Sequence, residues 1–259
     1  MADFLDVLAQ DAKKTVRNGY YKHVSQGTAT GESLKKAITE CKTAPVITEI
    51  KAASPSAGVI KKNLDAIELA QAMEKGGAVG LSVLTEPTHF QGSLRSLVKA
   101  RKIVKLPILM KDIIISPIQI KTASKVGANV VLLIQALFDR GYCESSINEM
   151  INIAHSANLE VLLETHNEPE FRSAINTGAD LIGINNRNLG TLKVDLNVTR
   201  QILKDNCKSG RIVVSESGIN SPADLRFLRE SGAQAFLVGS AIMRSENVEE
   251  KVKELVQAL

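Results

Sequence analysis

Four times along the chain a Gly-Ala pair is followed by one residue and then an apolar run. The copies are GAVGLSVL from Gly77, GANVVLLI from Gly127, GADLIGIN from Gly178 and GAQAFLVG from Gly232, spaced by 50, 51 and 54 residues. An internal period of this size restricts the chain to architectures built from repeated units. Each glycine also closes a segment with helical spacing. NLDAIELAQAMEKGG ends in glycine, as a C-terminal cap does. NSPADLRFLRESG offers Ser221 as N-cap with Pro222 in the first turn, and HNEPEFRSAINTG offers Asn167, followed by Pro169 and Glu170.

Between the four repeated runs lie four more apolar runs, VITEIK, PILMKD, EVLLET and IVVSES. Eight short strands alternating with helices imply parallel pairing through βαβ crossovers. Eight such units fill the length of a (β/α)8 barrel of the TIM type. The period spans two units, so the barrel reads as four strand-pair quarters. Residues 1–45 become an N-terminal helical extension and residues 46–259 the barrel, within one domain. The competing architecture is an open doubly wound sheet. Such a sheet usually carries G-x-G-x-x-G after its first strand, and neither that nor the P-loop pattern occurs here.

The first strand places a carboxylate and an ammonium two residues apart. Side chains two apart share a face, so Glu49 and Lys51 point the same way as Ile47, while Val46, Thr48 and Ile50 form the other face. The charge-free set suits contact with helices, so Glu49 and Lys51 face the barrel interior near the C-terminal strand end, where barrel enzymes place their sites. Other strands end likewise. Lys111 closes ILMK, Glu164 follows EVLL, Glu216 ends VVSE, and Asn185 and Arg187 share a face in IGINNRN. Burying one such charge costs several kcal/mol unless it is paired, and so many at one rim point to acid–base chemistry. Ser217-Gly218 after the seventh strand and Gly239-Ser240 after the eighth form the loop pair that binds phosphate in many barrels. Ser54 and Ser56 can close that site from the first strand.

Composition excludes other classes. Aromatic residues are 3%, Trp is absent and the formal charge is only +4, which disfavours nucleic-acid binding and suits a small anionic substrate. No apolar run approaches the ~20 residues of a membrane span. MADFLDVLAQDAKKTVRNGYYKH lacks a secretory layout, so a cytoplasmic location is expected. Cys41, Cys143 and Cys207 are scattered and odd in number, and the four histidines show no H-E-x-x-H spacing. Neither a disulfide framework nor a protein-held metal is expected.

The motifs EIKAASPSAGVI, SVLTEPTHFQGS, PILMKD, LLETH, IGINNRNL, VSESGI and VGSAIM together resemble the indole-3-glycerol phosphate synthase family through all eight units. The resemblance implies ring closure, decarboxylation and dehydration of 1-(2-carboxyphenylamino)-1-deoxyribulose 5-phosphate in tryptophan biosynthesis, without metal or organic cofactor. It implies Lys111 as general acid and Lys51 as its assistant or as a holder of the substrate carboxylate. Glu49 and Glu164 would be the proton-handling carboxylates, their division of labour open. It further implies Asn185 and Arg187 as orienting groups, and Glu216 against the substrate hydroxyls. Phe90 and Leu189 would line the aromatic ring, and Ser54, Ser217, Gly218, Gly239 and Ser240 would hold the phosphate. Other enzymes of the tryptophan pathway are candidate partners. Ala52 and Ala57 stand where the family often has basic residues, Met110 and Ile113 where Arg and Phe are frequent, and Asn188 where Asp is usual. Three rivals remain at this stage: a Schiff-base aldolase using Lys111 or Lys51, a phosphoribosylanthranilate isomerase, and a non-catalytic binder of phosphorylated ligands.

Overall fold

The structure is a computed structural model that describes residues 3–22, 24–28, 31–54, 58–60, 64–206 and 210–259; Ser56, Ala57 and Cys207 lie outside these. Eight strands close a barrel: β1 Val46–Ile50, β2 Gly80–Leu84, β3 Ile108–Lys111, β4 Val130–Ile134, β5 Glu160–Thr165, β6 Leu181–Asn185, β7 Val213–Glu216 and β8 Ala235–Val238. All pairings are parallel and follow chain order, and β8 returns to β1 with Val46 opposite Phe236. A short antiparallel hairpin in the loop after β1, Ala53–Ser54 against Gly58–Val59, was not legible in the sequence.

Helices fill the connections. α1 Phe4–Arg17 and α2 Leu34–Glu40 precede the barrel, and α3 Ala66–Lys75, α4 Leu94–Arg101 and α5 Pro117–Val126 follow β1, β2 and β3. Two helices follow β4, α6 Gln135–Asp139 and α7 Ile147–Ser156. The rest are α8 Glu168–Ala174, α9 Asn197–Asn206, α10 Pro222–Glu230, α11 Ser240–Met243 and α12 Val248–Val256. Ser221 and Asn167 cap their helices as expected, accepting from Asp224 N and Glu170 N.

The Gly-Ala repeat is a helix terminator followed by a strand start. After α3, α5 and α10 the alanine N–H bonds a carbonyl five residues back: Ala78 to Met73, Ala128 to Ala123 and Ala233 to Leu228, at 3.0–3.2 Å. The glycine before each has positive φ: +92° at Gly77, +88° at Gly127 and +106° at Gly232. This closure requires a left-handed residue, which glycine supplies without steric cost. The third copy, at Gly178, differs. α8 ends earlier, at Ala174, and Gly178 is not left-handed.

Strand alternation splits the core in two. Val46, Ile50, Leu81, Val83, Ile108, Met110, Val131, Leu133, Val161, Leu163, Ile182, Ile184, Phe236 and Val238 pack under the helices. Ile47, Leu109, Leu162 and Val214, from β1, β3, β5 and β7, pack in the barrel interior. Two residues further along those same strands stand Glu49, Lys111, Glu164 and Glu216. In a (β/α)8 barrel alternate strands contribute one layer of inward side chains. An apolar layer is therefore topped by a charged one.

The N-terminal extension closes both ends. α1 buries Leu5, Leu8, Ala9 and Ala12 against the interior core from the C-terminal side. α2 plugs the other end. Leu34 packs so closely over Gly80 that a Cβ there would lie 2.6 Å from Leu34 Cδ1. Glu160, the first residue of β5, accepts from Leu34 N at 2.9 Å, Lys35 N at 3.2 Å and the Ser33 hydroxyl. A carboxylate facing a helix N-terminus is favoured by the exposed N–H groups and by the helix dipole. Glu160→Ala should lower unfolding stability by about 1–2 kcal/mol, read as a shift in urea midpoint. An unchanged midpoint would show that α2 docks by apolar contact alone.

Candidate active site

The C-terminal strand ends surround a cavity of about 520 Å³. The candidates among the described residues line it: Glu49, Lys51, Ser54, Phe90, Lys111, Glu164, Asn185, Arg187, Leu189, Glu216, Ser217, Gly218, Gly239 and Ser240. The charges form two groups. Lys111 Nζ lies 2.7 Å from Glu164 Oε2 and 2.8 Å from Glu216 Oε2, bridging β3 to β5 and β7. Lys51 Nζ pairs with Glu49 Oε1 at 2.7 Å. The Lys111 and Lys51 side chains keep only 14% exposure, and the three carboxylates 4% or less.

Burial and neighbouring charge set the proton affinities. Desolvation opposes the Lys111 ammonium, but Glu164, Glu216 and Glu49 outweigh it and raise its pKa above the ordinary lysine value. Burial likewise opposes the Glu164 carboxylate, but Lys111 and His166 hold its pKa well below the usual range. Glu216 goes the other way. Burial raises its pKa, Lys111 only partly offsets this and Glu164 adds repulsion, giving about 7. Two carboxylates on one lysine therefore differ in proton affinity. His166 was not singled out in the sequence. Its Nε2 stands 3.2 Å from Glu164 Oε1 and its Nδ1 3.3 Å from Glu170 Oε2. Burial disfavours the imidazolium, but these two carboxylates raise its pKa to about 9.

Clearance for these groups is written in glycines. A Cβ on Gly239 would sit 2.5 Å from Glu49 Oε1 and 3.1 Å from Lys51 Nζ. A Cβ on Gly183, in β6 between β5 and β7, would strike Glu216 Oε1. Asn185 Nδ2 donates to Glu164 Oε1 at 3.2 Å, and its Oδ1 accepts from Arg187 N at 3.0 Å. β6 ends at Asn185, so Arg187 lies beyond the strand instead of sharing its face by pleating. Its guanidinium reaches Leu192 O at 3.0 Å.

One end of the cavity suits an anion. Ser217 and Gly218 are both left-handed, φ +68° and +86°, and such a conformation costs a non-glycine residue about 1–2 kcal/mol. Asn186 holds this turn, donating to Glu216 O at 3.0 Å and Ser217 O at 3.2 Å. Gly239 caps the short helix α11 that begins at Ser240. Ser54 Oγ is buried and has no hydrogen-bond partner among the described residues. Arg244, exposed at the rim, was also missed from sequence; a lone arginine after a short helix carries no signal.

The other wall is apolar. Phe90 and Leu189 pack beside the interior core, joined by Phe4, Leu5 and Leu8 of α1. Glu86 orders the Phe90 loop, accepting from Thr88 N, His89 N and Phe90 N at 2.7–3.0 Å. The helical extension was readable; the position of α1 over the mouth was not. Among the described residues no group of three or more His, Cys, Asp or Glu could hold a metal ion, and no helix is long and apolar enough to cross a membrane.

Residues 6–255 match the sequence model of a family described as indole-3-glycerol phosphate synthase. The chain belongs to this family. It is 45% identical to the indole-3-glycerol phosphate synthase of Methanocaldococcus jannaschii, over 86% of this chain and 82% of that protein. It is 38% identical to that of Polynucleobacter asymbioticus, over 98% and 99%. Among solved structures, N-acetylmannosamine-6-phosphate 2-epimerase from Clostridium perfringens has a TM-score of 0.64 at 16% identity, covering 82% of this chain and 92% of that one, a likeness of fold.

The departures from the usual pattern of indole-3-glycerol phosphate synthases fall on different faces. Met110 is buried under the helices, Ile113 lines the cavity, and Ala52 lies in the loop after β1. Asn188 Oδ1 accepts from Gly190 N at 2.9 Å and Thr191 N at 2.8 Å, turning the loop as an Asp would.

A raised carboxyl pKa has a consequence for stability. The Glu216 contribution is fully present below its ordinary value of 4.5 and is lost as pH rises through about 7. Glu164, shifted oppositely, acts below that window. Urea midpoints of wild type and Glu216→Gln should therefore diverge between pH 4.5 and 8, the wild type losing ground as pH rises. A difference independent of pH would refute the shift.

Proposed function

We propose that this chain converts 1-(2-carboxyphenylamino)-1-deoxyribulose 5-phosphate to indole-3-glycerol phosphate, carbon dioxide and water, a carboxy-lyase reaction of tryptophan biosynthesis. The observation that carries this reading is Lys111 held between Glu164 and Glu216 in a cavity with an anion-suited end and an apolar wall. The substrate has matching parts: a phosphate, a sugar chain with a ketone, and an aromatic ring bearing a carboxylate.

The ring carbon that bears the carboxylate attacks the ketone, and the carbonyl oxygen must gain a proton. Lys111, kept protonated by its neighbours, supplies it. Carbon dioxide then leaves and restores the aromatic ring. The new hydroxyl departs as water while a proton leaves the five-membered ring. Glu164, held ionised, accepts that proton. Glu216, with a pKa of about 7, shares a proton with Lys111 and contacts the sugar hydroxyls. Lys51, steadied by Glu49, faces the substrate carboxylate or assists departure of the hydroxyl. Asn185 fixes Glu164 by its hydrogen bond, and Arg187 orients the intermediates. Ser54, Ser217, Gly218, Gly239 and Ser240 take the phosphate through N–H and hydroxyl donors. Phe90 and Leu189, with α1, enclose the ring.

The same electrostatics argue against a Schiff-base mechanism. A nucleophilic lysine needs a neutral amine and hence a depressed pKa, whereas carboxylates raise that of Lys111.

The direct test is fluorescence detection of indole product from the carboxyphenylamino sugar phosphate. Absence of product with purified, folded protein would refute the assignment. Lys111→Ala should lower kcat by about 10²–10⁴ with an unchanged circular dichroism spectrum; near-normal turnover would remove Lys111 from the acid role. Gly239→Ala should crowd Glu49 and Lys51 and disturb the phosphate loop, raising KM at least about tenfold. Wild-type KM would place the phosphate elsewhere.

A further inference from the structure

Tyr20 and Tyr21 lie between α1 and α2 and do not line the cavity. Tyr21 is 3% exposed and the two rings meet edge to face at 5.0 Å. Their segment is fastened to α5: Thr122 Oγ1 donates to Tyr21 O and Gly27 N to Lys125 O, both at 2.8 Å. The two hydroxyls then converge on the backbone around Lys111. Tyr20 Oη donates to Thr85 O at 3.0 Å and accepts from Leu94 N at 3.1 Å. Tyr21 Oη donates to the Asp112 carboxylate, 3.0 Å from each oxygen. Thr85 joins the two arms, since its N–H donates to Lys111 O at 3.0 Å and its hydroxyl to Asp112 Oδ2 at 2.5 Å.

The location gives this network its meaning. β3 ends at Lys111, whose last ladder partner is Leu84. A strand end frays unless something beyond the sheet holds it. Here Thr85 and Asp112, the residues that follow β2 and β3, are held by the tyrosines. Asp112 also accepts from Ile113 N at 2.8 Å, so its carboxylate fixes both sides of the turn after Lys111. Lysine has a flexible four-carbon stem, and its ammonium meets two carboxylates on other strands only if its Cα is placed correctly.

We propose that Tyr20 and Tyr21 are positioning residues for Lys111, clamping through Thr85 and Asp112 the backbone from which the ammonium reaches Glu164 and Glu216. The N-terminal extension then does more than cover the barrel, because it sets the geometry of the acid. This rests on the reading of Lys111 as the acid.

The test uses the full chain with Tyr20→Phe, Tyr21→Phe and the double variant, which keep the rings and remove the hydroxyls. kcat should fall about 10–100-fold in the double variant, with KM within about twofold of wild type because the phosphate loops are untouched. Lys111 labelling by an amine-selective reagent, read by mass spectrometry, should rise about threefold for each half unit its pKa falls. Labelling of Lys51, in the same cavity, should stay constant. Glu160→Ala serves as the stability control, lowering the melting temperature without a matching loss of kcat. The inference is overturned by a double-variant kcat within twofold of wild type, by a kcat loss no larger than the control's, or by unchanged Lys111 labelling. Should wild type form no indole product, the functional reading fails, while the labelling ratio still decides whether the tyrosines place Lys111.

Discussion

An ammonium group stripped of water is tolerated inside a protein only beside compensating anions, and Lys111 has two. Removing one partner of such a buried pair typically costs 3–5 kcal/mol, so Lys111, Glu164 and Glu216 stand or fall together. They come from β3, β5 and β7, strands that are not neighbours in the barrel. Alternate strands contribute side chains to one layer of a barrel interior, which lets residues far apart in sequence meet without bending any strand. Glu49 from β1 completes the layer and adds its charge to the field at Lys111. Ile47, Leu109, Leu162 and Val214 below it keep out water and lower the local dielectric, which makes both attraction and desolvation large.

A polar layer over an apolar one also needs room. Gly183 and Gly239 provide it by having no side chain where Glu216, Glu49 and Lys51 approach the backbone. The same absence at Gly80 admits Leu34 at the opposite end. The extension thus supplies a floor through α2, a roof through α1, and two tyrosines that hold Thr85 and Asp112 beside Lys111 from outside the barrel. The carboxylates do not behave alike because their surroundings differ. Glu164 has His166 as a second cationic neighbour, while for Glu216 burial and the repulsion of Glu164 prevail over Lys111.

Much of this was legible beforehand because strand pleating is a strict local rule. Once eight strands were counted, four of them from the Gly-Ala repeat, alternation turned Glu49 inward and strand-end position placed Lys111, Glu164 and Glu216, and the candidates among the described residues line the cavity. Rules of that kind stop at the strand ends. Arg187 sits past the end of β6, and its guanidinium is held by Leu192, a contact made by a loop. Asn186, Asp112 and His166 looked like ordinary neighbours of motif residues. Asn186 and Asp112 earn their places through Ser215 and Tyr21, 29 and 91 residues away, and His166 through Glu164 on the adjoining strand end.

The sequence by itself determined the barrel, the order of its strands, the face of each charge that lies within a strand and the family to which the chain is similar, because helix caps, strand period and motif identity are local properties. The tertiary structure alone decided which lysine pairs with which carboxylate, which of two buried glutamates has the higher proton affinity, and where α1 and α2 lie. Those outcomes depend on distances between elements that no spacing along the chain encodes, and on the balance of burial against charge at each closed position.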